Sequence, residues 1–189
     1  MKLVKERMYV ALLLSPLLLI HLLFYFFSCN RKLIQSDLEG KVKIFIYKLL
    51  YDKPYRNVFY HRIGKIHFIF SWILPRCPYT KISQDMVIGQ NIMIEHAFNT
   101  FLNGKSIGDN FKCFHNVTIG KKKDEGLPII GNNVIVSCGA SILGNVHIGS
   151  NVIIGAGCVV TKDVPDNCTV VGNPAYIVRI NKQKIYQKL

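Results

Sequence analysis

Charge is scarce in this sequence, and acidic charge is scarcer still. Only 19% of the 189 residues are charged, with 11 Asp and Glu against 24 Lys and Arg. Half of the chain is hydrophobic, and the mean hydropathy is positive at +0.24. Intrinsic disorder needs the opposite balance, little hydrophobicity and much charge, so it is excluded. Cysteine is also sparse. The six Cys include no Cys-x-x-Cys pair, which excludes a disulfide scaffold. The length fits one to one and a half domains.

The net charge of +13 invites a nucleic acid or an anionic membrane, and its distribution decides between them. Residues 1–81 hold 14 Lys/Arg and 4 Asp/Glu, residues 82–178 hold 6 and 7, and residues 179–189 hold 4 and none. A nucleic-acid-binding domain carries its charge on the folded body. Here the largest block is near neutral, so no nucleic-acid partner is expected.

From Met8 to Cys29 there is no Asp, Glu, Lys or Arg over 22 residues. As a helix this run measures roughly 33 Å, enough to cross a bilayer core. Pro16 and His21 interrupt it, which a membrane helix tolerates. Lys2, Lys5 and Arg7 precede the run, and Arg31, Lys32, Lys41, Lys43 and Lys48 follow it. The larger basic count on the C-terminal side places the rest of the chain in the cytoplasm. The expectation is a hydrophobic segment, residues 1–30, that anchors a cytoplasmic protein at the inner face of the membrane through residues 8–29. A buried helix of an oligomer is one alternative. A secretion signal is the other, although no small-x-small cleavage site precedes Asn30.

Residues 31–78 read as a helical lead-in. Between Val58 and Leu74 the polar His61, Arg62, Lys65 and His67 return every three to four positions among aromatic and aliphatic residues. That is the pattern of a basic amphipathic helix, suited to anionic lipid or to packing on the next domain. Leu74-Pro75 and Cys77-Pro78 end the helical zone.

From Ile82 an aliphatic residue recurs every six positions: Ile82, Ile88, Ile94; then, after a one-residue insertion, Ile107, Cys113, Ile119; then Ile130, Val136, Ile142, Ile148, Ile154 and Val160. Thr100 is the polar exception in this series, and the extra residue is expected to bulge out after it. A second apolar residue stands four positions after many of these, as at Ile92, Val117, Val134, Ala140, Val146, Val152 and Cys158. A period of six is too short for helical repeats and does not fit a β-meander. It is the signature of a hexapeptide β-helix, whose stacked turns share one core.

The repeat resembles the left-handed parallel β-helix of hexapeptide acyltransferases over residues 82–180. The sharper resemblance is to the serine acetyltransferase branch and its surface-polysaccharide relatives of the colanic acid type. Asn91-Ile-Met-Ile-Glu-His96, Phe114-His-Asn-Val-Thr-Ile-Gly120, Ile154-Gly-Ala-Gly157, Val160-Thr-Lys-Asp-Val-Pro165 and Gly172-Asn-Pro-Ala175 carry it, and Leu50–Arg62 looks like the lead-in of the polysaccharide members. The resemblance implies a mainly β fold over 79–180 behind a helical segment, with a basic tail at 181–189. It also implies three hexads per turn, hence about four turns, and a homotrimer with sites between subunits.

Acetyl transfer from a thioester to a hydroxyl needs a base for the hydroxyl proton and donors facing the oxyanion. By motif match His96 is the base, and His115, in the same phase one turn later, lines the acceptor pocket or carries the proton. Cys138 and Ala156 continue that column. The insertion Lys121–Pro128 suits a binding face. Glu95 stands where the family has an Asp that contacts substrate. Two family features are missing: Lys81 occupies the place of the carboxylate that orients the base, and Leu127 the place of a loop His before Pro128. On the donor side, Cys138, Ala156, Thr161, Lys162 and Arg179 match positions that hold acetyl-CoA, where Lys and Arg meet phosphate as charge-assisted donors.

The resemblance therefore implies an acetyl-CoA-dependent O-acetyltransferase, with no metal. The losses at Lys81 and Leu127 and the apolar N-terminus favour a sugar hydroxyl of a surface-polysaccharide precursor as acceptor. Free serine is the alternative. Two other classes compete: a zinc trimer using three His, for which His147 falls in the wrong phase, and a scaffold trimer without activity. Cys113 and Cys158 stand at inward repeat positions, as small hydrophobes.

Overall fold

The computed structural model describes residues 18–38, 41, 44–123 and 126–189. The chain divides into two compact units, Met1–Cys77 and Pro78–Leu189.

The second unit is a parallel β-helix. Strands β1 (Thr80–Ile82), β4 (Thr100–Leu102), β7 (Thr118–Gly120), β10 (Ser141–Leu143) and β13 (Val159–Val160) form one face. A second face holds β2 (Val87–Ile88), β5 (Ser106–Ile107), β8 (Ile129–Ile130) and β11 (His147–Ile148). The third holds β3 (Met93–Ile94), β6 (Lys112–Cys113), β9 (Ile135–Val136), β12 (Ile153–Ile154) and β14 (Cys168–Val171). Every third strand pairs, so each turn visits all three faces. Five strands on the first face make about five turns, not four. The extra turn was hidden because the strict period ends at Val160. Beyond it the second face is held by a lone bridge, Ile148 to Val164.

Register stacks like on like. Ile94, Cys113, Val136, Ile154 and Val170 lie one above another, as do Ile107, Ile130 and Ile148. All but Ile94 of these are buried. Between the second and third faces, Asn91, Asn110, Asn133, Asn151 and Asn167 all take positive φ. Asn tolerates this left-handed turn better than other non-Gly residues. Each of the first four donates its side-chain amide to the next, at 2.8–3.0 Å. Gly131 shows how tightly the turns stack: a Cβ there would meet the carbonyl carbon of Gly149 at 2.8 Å.

After β14 the chain reverses into antiparallel β15 (Tyr176–Ile180) and β16 (Gln183–Lys188). The basic tail is thus a paired strand rather than a loose end, although its Lys side chains remain exposed.

Among its described residues the first unit has four short helices: α1 (Leu19–Phe27), α2 (Arg31–Ser36), α3 (Phe45–Tyr51) and α4 (Lys53–Ile63), followed by a 3₁₀ segment, Gly64–Ile69. Asp52 caps α4 by accepting the Tyr55 N–H at 2.9 Å. The single amphipathic helix expected over Val58–Leu74 does not form. Gly64, at φ 71, ends α4. The expected polar face is also inverted in part. Arg62 and His67 are buried, while Ile66, Phe68, Ile69 and Trp72 are exposed. Arg62 goes inside because it has a partner there, Asp37, bound through two hydrogen bonds of 2.9 and 3.1 Å. His67 hydrogen-bonds the Gly64 carbonyl through Nδ1 at 2.7 Å.

The core of this unit is largely aromatic, including Tyr25, Phe45, Tyr55, Phe59, Tyr60 and Phe70. His21 of α1 is fully buried in it. Its Nε2 bonds the Tyr60 hydroxyl at 3.0 Å, and that hydroxyl donates to the Leu74 carbonyl at 2.8 Å. The Tyr60 proton is thereby committed, so His21 Nε2 is the donor. No described helix is long and apolar enough to cross a membrane. The part of the apolar run before Leu18 lies outside the described residues.

Two outcomes follow from these buried polar groups. Removing one partner of a buried ion pair strands the other charge. Asp37→Ala is therefore expected to cost about 3–5 kcal/mol in chemical denaturation. The second concerns acid. Burial, with Arg56 adding to it, lowers the pKa of His21 from 6.5 to about 4. The unfolded chain then binds more protons between these values, so stability is full above the unfolded pKa and is lost as pH falls towards 4. The loss is roughly 3 kcal/mol by pH 4. Denaturation midpoints measured against pH are expected to fall over that window, and less steeply in His21→Gln.

Candidate active site

The corner between the third face and the first is where the repeat departs from its own rule. In the lower turns, an inward residue is followed after six positions by the next: Cys113 to Ile119, Val136 to Ile142, Ile154 to Val160. In the first turn the step from Ile94 reaches Leu102, because Phe101 pairs with Thr118 and Leu102 with Ile119. Two residues are inserted. The next step, Leu102 to Ile107, is one residue short, so the net shift is one.

This corrects the sequence-based placement on two points. The extra residues come before Thr100, and Leu102 rather than Thr100 fills the aliphatic column. The backbone bonds then identify the insertion. Glu95 N–H donates to the Cys113 carbonyl, and Asn116 N–H to the Phe98 carbonyl. Glu95 therefore stands over Phe114, and Phe98 over His115. His96 and Ala97 are the inserted pair. His96 is not stacked directly on His115; it occupies a bulge at the same corner, in the turn next to it. Below, Gly139 N–H donates to the His115 carbonyl and Gly157 N–H to that of Cys138, so His115, Cys138 and Ala156 do form one column.

The bulge is tightly held. His96 has φ 51, a left-handed conformation at a residue that is neither Gly nor Asn. Its carbonyl accepts the Phe98 N–H at 2.6 Å. Thr80 Oγ1 donates to the Ala97 carbonyl at 2.7 Å, and Ala97 is buried beneath the turn. Residues held in sparsely populated backbone regions cluster at functional sites. The His96 side chain is exposed and that of His115 half-buried.

Glu95 is not free to face a ligand alone. Lys112 Nζ lies 2.7 Å from its Oε1, and the same ammonium stands 5.1 Å from the centre of the Phe114 ring. Sequence reading missed Lys112, although the register contained the signal. Residues 95 and 114 stack, and Lys112 is two positions before 114 on the same outward side. Lys81 lies on β1 opposite Phe101, on the first face.

The remaining predicted residues are more dispersed. Thr161 and Lys162 line a small groove of about 150 Å³ with Asn173, Pro174 and Ala175. Arg179 instead lines a cleft of about 610 Å³ with Asn151, Ile153, Thr169 and Lys182. The Lys121–Pro128 insertion leaves the helix between β7 and β8, hence between the first and second faces, a different corner from His96. His147 lies on β11 of the second face, away from the His96 corner. Cys113 and Cys158 are fully buried, and burial pushes their thiols up to about 12 and about 11. They remain protonated and inert at neutral pH.

Comparison with known proteins follows the same lines. The family model "Bacterial transferase hexapeptide (six repeats)" matches residues 128–162. The serine acetyltransferase of Synechococcus elongatus is 43% identical over 95 residues, 48% of this chain and 39% of that protein. The structure of Neisseria gonorrhoeae serine acetyltransferase in complex with serine superposes with a TM-score of 0.64 at 31% identity, over 79% of this chain and 69% of that one. The chain belongs to the serine acetyltransferase-like hexapeptide family. Another member, the Brucella abortus strain S19 serine acetyltransferase in complex with coenzyme A, covers 94% of this chain and 74% of its own at a TM-score of 0.61 and 25% identity. The chain spans less than half the length of the curated serine acetyltransferases it matches.

The Lys112–Glu95 pair is about one-third exposed on both sides. Solvent-screened pairs contribute about 0–1 kcal/mol. Lys112→Ala is therefore expected to shift thermal stability by no more than about 1 kcal/mol, in contrast to Asp37→Ala.

Proposed function

We propose that this chain is an acetyl-CoA-dependent O-acetyltransferase that acts as a homotrimer in the cytoplasm, with serine as acceptor. The observation that carries the reading is the His96 bulge. It is an exposed imidazole on a constrained left-handed backbone, at the corner that also bears His115, Cys138 and Ala156. The relatives solved with serine and with coenzyme A support the two substrates.

In this reading His96 takes the proton from the acceptor hydroxyl as its oxygen attacks the thioester carbonyl. An imidazole ring can take up a proton and give it back, which suits both halves of the cycle. The oxygen–carbon bond forms, a tetrahedral oxyanion collapses, and the carbon–sulfur bond breaks. The imidazolium then returns its proton to the departing thiolate. Glu95, shared with Lys112, holds the acceptor's amine, and His115 lines the acceptor pocket. Cys138 and Ala156 offer a low edge for the pantetheine arm. Thr161 and Lys162 take the donor's polar end at their groove, and Arg179 supplies a second cation for phosphate.

A second reading, a sugar hydroxyl as acceptor, rests on one specific observation. Lys81 and Leu127 stand where serine acetyltransferases place a carboxylate and a His, so part of the serine apparatus is replaced.

The test is an acceptor screen with acetyl-CoA, following release of free coenzyme A. Turnover on serine is expected to exceed that on sugar nucleotides, and the reverse order would establish the second reading. His96→Ala is expected to lose at least ~10²-fold in rate while still binding acetyl-CoA, the scale of losing a general base. Near-normal turnover in that variant would remove His96 from the mechanism.

A further inference from the structure

The first unit presents its apolar residues on the outside in an unusual way. On α1, Leu19, Leu23, Phe26 and Phe27 are all exposed, Phe27 at 81%. Their spacing of four, three and one places them on one side of the helix. The opposite side carries His21 and Tyr25, which are buried in the aromatic core. The segment after α4 does the same: Ile66, Phe68, Ile69 and Trp72 are exposed, Ile69 at 71% and Trp72 at 75%. Phe24 of α1 stacks on Phe70 of that segment at 4.7 Å, with a 12° interplanar angle. One aromatic contact thus ties α1 to the segment that carries the second exposed set. Monomeric soluble proteins rarely expose contiguous apolar surface of this kind without an interaction site.

The charges around these residues have one sign. Arg31 lies over the Phe26 ring at 5.3 Å and Arg76 over the Phe68 ring at 5.1 Å. Lys32 and Lys65 are exposed nearby in sequence. Among the described residues of this unit the carboxylates are Asp37 and Asp52. Asp37 is buried against Arg62 and Asp52 is occupied as the cap of α4. The rim of the patch is therefore cationic, with no described acidic group exposed to offset it. The sequence that leads into α1 from Met8 is also free of charge.

We propose that the first unit docks on an anionic lipid surface, lying in the interface rather than crossing it. The outward stripe of α1 and the Ile66–Trp72 segment enter the acyl boundary, and Arg31, Lys32, Lys65 and Arg76 meet the headgroups. Aromatic and aliphatic side chains ringed by Lys and Arg suit that boundary. A span through α1 does not fit, because His21 and Tyr25 on its other side are already committed to the protein core. This inference stands apart from the acetyltransferase reading, since it uses no residue of the His96 corner.

The chain carries a single tryptophan, Trp72, so fluorescence reports on the patch without mutation. The full chain is mixed with vesicles of phosphatidylcholine alone or with roughly 30% phosphatidylglycerol, a fraction chosen to set a substantial negative surface potential. The expected result is co-sedimentation with the anionic vesicles, a blue shift of Trp72 emission, and quenching by lipids brominated on the acyl chain. Lys65→Gln with Arg76→Gln is expected to weaken binding to anionic vesicles roughly ten- to thirtyfold. Phe68→Ser with Ile69→Ser is expected to weaken it at least about tenfold by removing the inserted surface. Three results would overturn the proposal. One is no binding to anionic vesicles. Another is binding with Trp72 still water-exposed, which would assign attachment to residues elsewhere. The third is a blue shift that grows with protein concentration in the absence of lipid, which would assign the patch to a second copy of the chain. The serine and sugar acceptor assays are read separately, so failure here leaves the catalytic reading untouched.

Discussion

The β-helix depends on one constraint, the vertical register between successive turns. Strands of two to four residues have almost no stability as isolated hairpins. They exist here because each is paired with the strand of a neighbouring turn, most of them on both sides, and because the same inward aliphatic column runs through the stack. The asparagine column at the second corner fixes that register laterally. Each Asn satisfies a left-handed turn and passes a side-chain hydrogen bond to the next. A slip by one residue would break both columns together, since strand side chains alternate between faces. Position therefore follows from arithmetic along the sequence wherever the period holds.

That is why the β-helix was legible and the corner bearing His96 was less so. Aliphatic residues six apart announced three faces and a shared core. They announced a wrong position for Thr100, because an insertion of two followed by a deletion of one looks like an insertion of one. The choice of Leu102 is made by pairing with Ile119, and no local pattern states it. The fifth turn escaped for a related reason. Once the second face is reduced to the Val164 bridge, the period that reveals a turn is gone although the turn remains.

The first unit misled the reading in the opposite way. Periodicity assumes that polar residues face water. Arg62 and His67 do not, because Asp37 and the Gly64 carbonyl are waiting for them inside. Those partners lie 25 and 3 residues away, and the ion-pair partner is invisible to a helical window. Once these two polar groups are satisfied within, the aromatic and aliphatic residues beside and after them are turned out. Burial of polar groups and exposure of Ile66, Phe68, Ile69 and Trp72 are thus one event. The same logic governs α1, whose inner side is chosen by the His21–Tyr60 bond.

A strictly periodic solenoid offers no site, since every turn presents the same corner as the next. What distinguishes one corner is an interruption: the His96–Ala97 insertion, the Lys121–Pro128 excursion and the reversal into β15 and β16. These interruptions differ in kind from the ladder that carries the family likeness. Aliphatic columns and glycine corners are shared by any chain that must stack this way, so identity across them measures the fold. Chemistry rests on the few residues that the ladder does not dictate, because function resides in sites grafted on folds. In the proposed reading His96 is one of them, held left-handed by a turn that the regular repeat would not contain. Glu95 and Lys112 are others, two outward residues that stacking alone would have left as solvated charge. In the proposed reading, acceptor choice rests on Glu95–Lys112, His115, Lys81 and Leu127, while the donor's pantetheine arm lies along Cys138 and Ala156. On that reading the acceptor residues lie at and around the interrupted corner and the donor edge on the regular column beside it, so a change of acceptor need not disturb the donor edge.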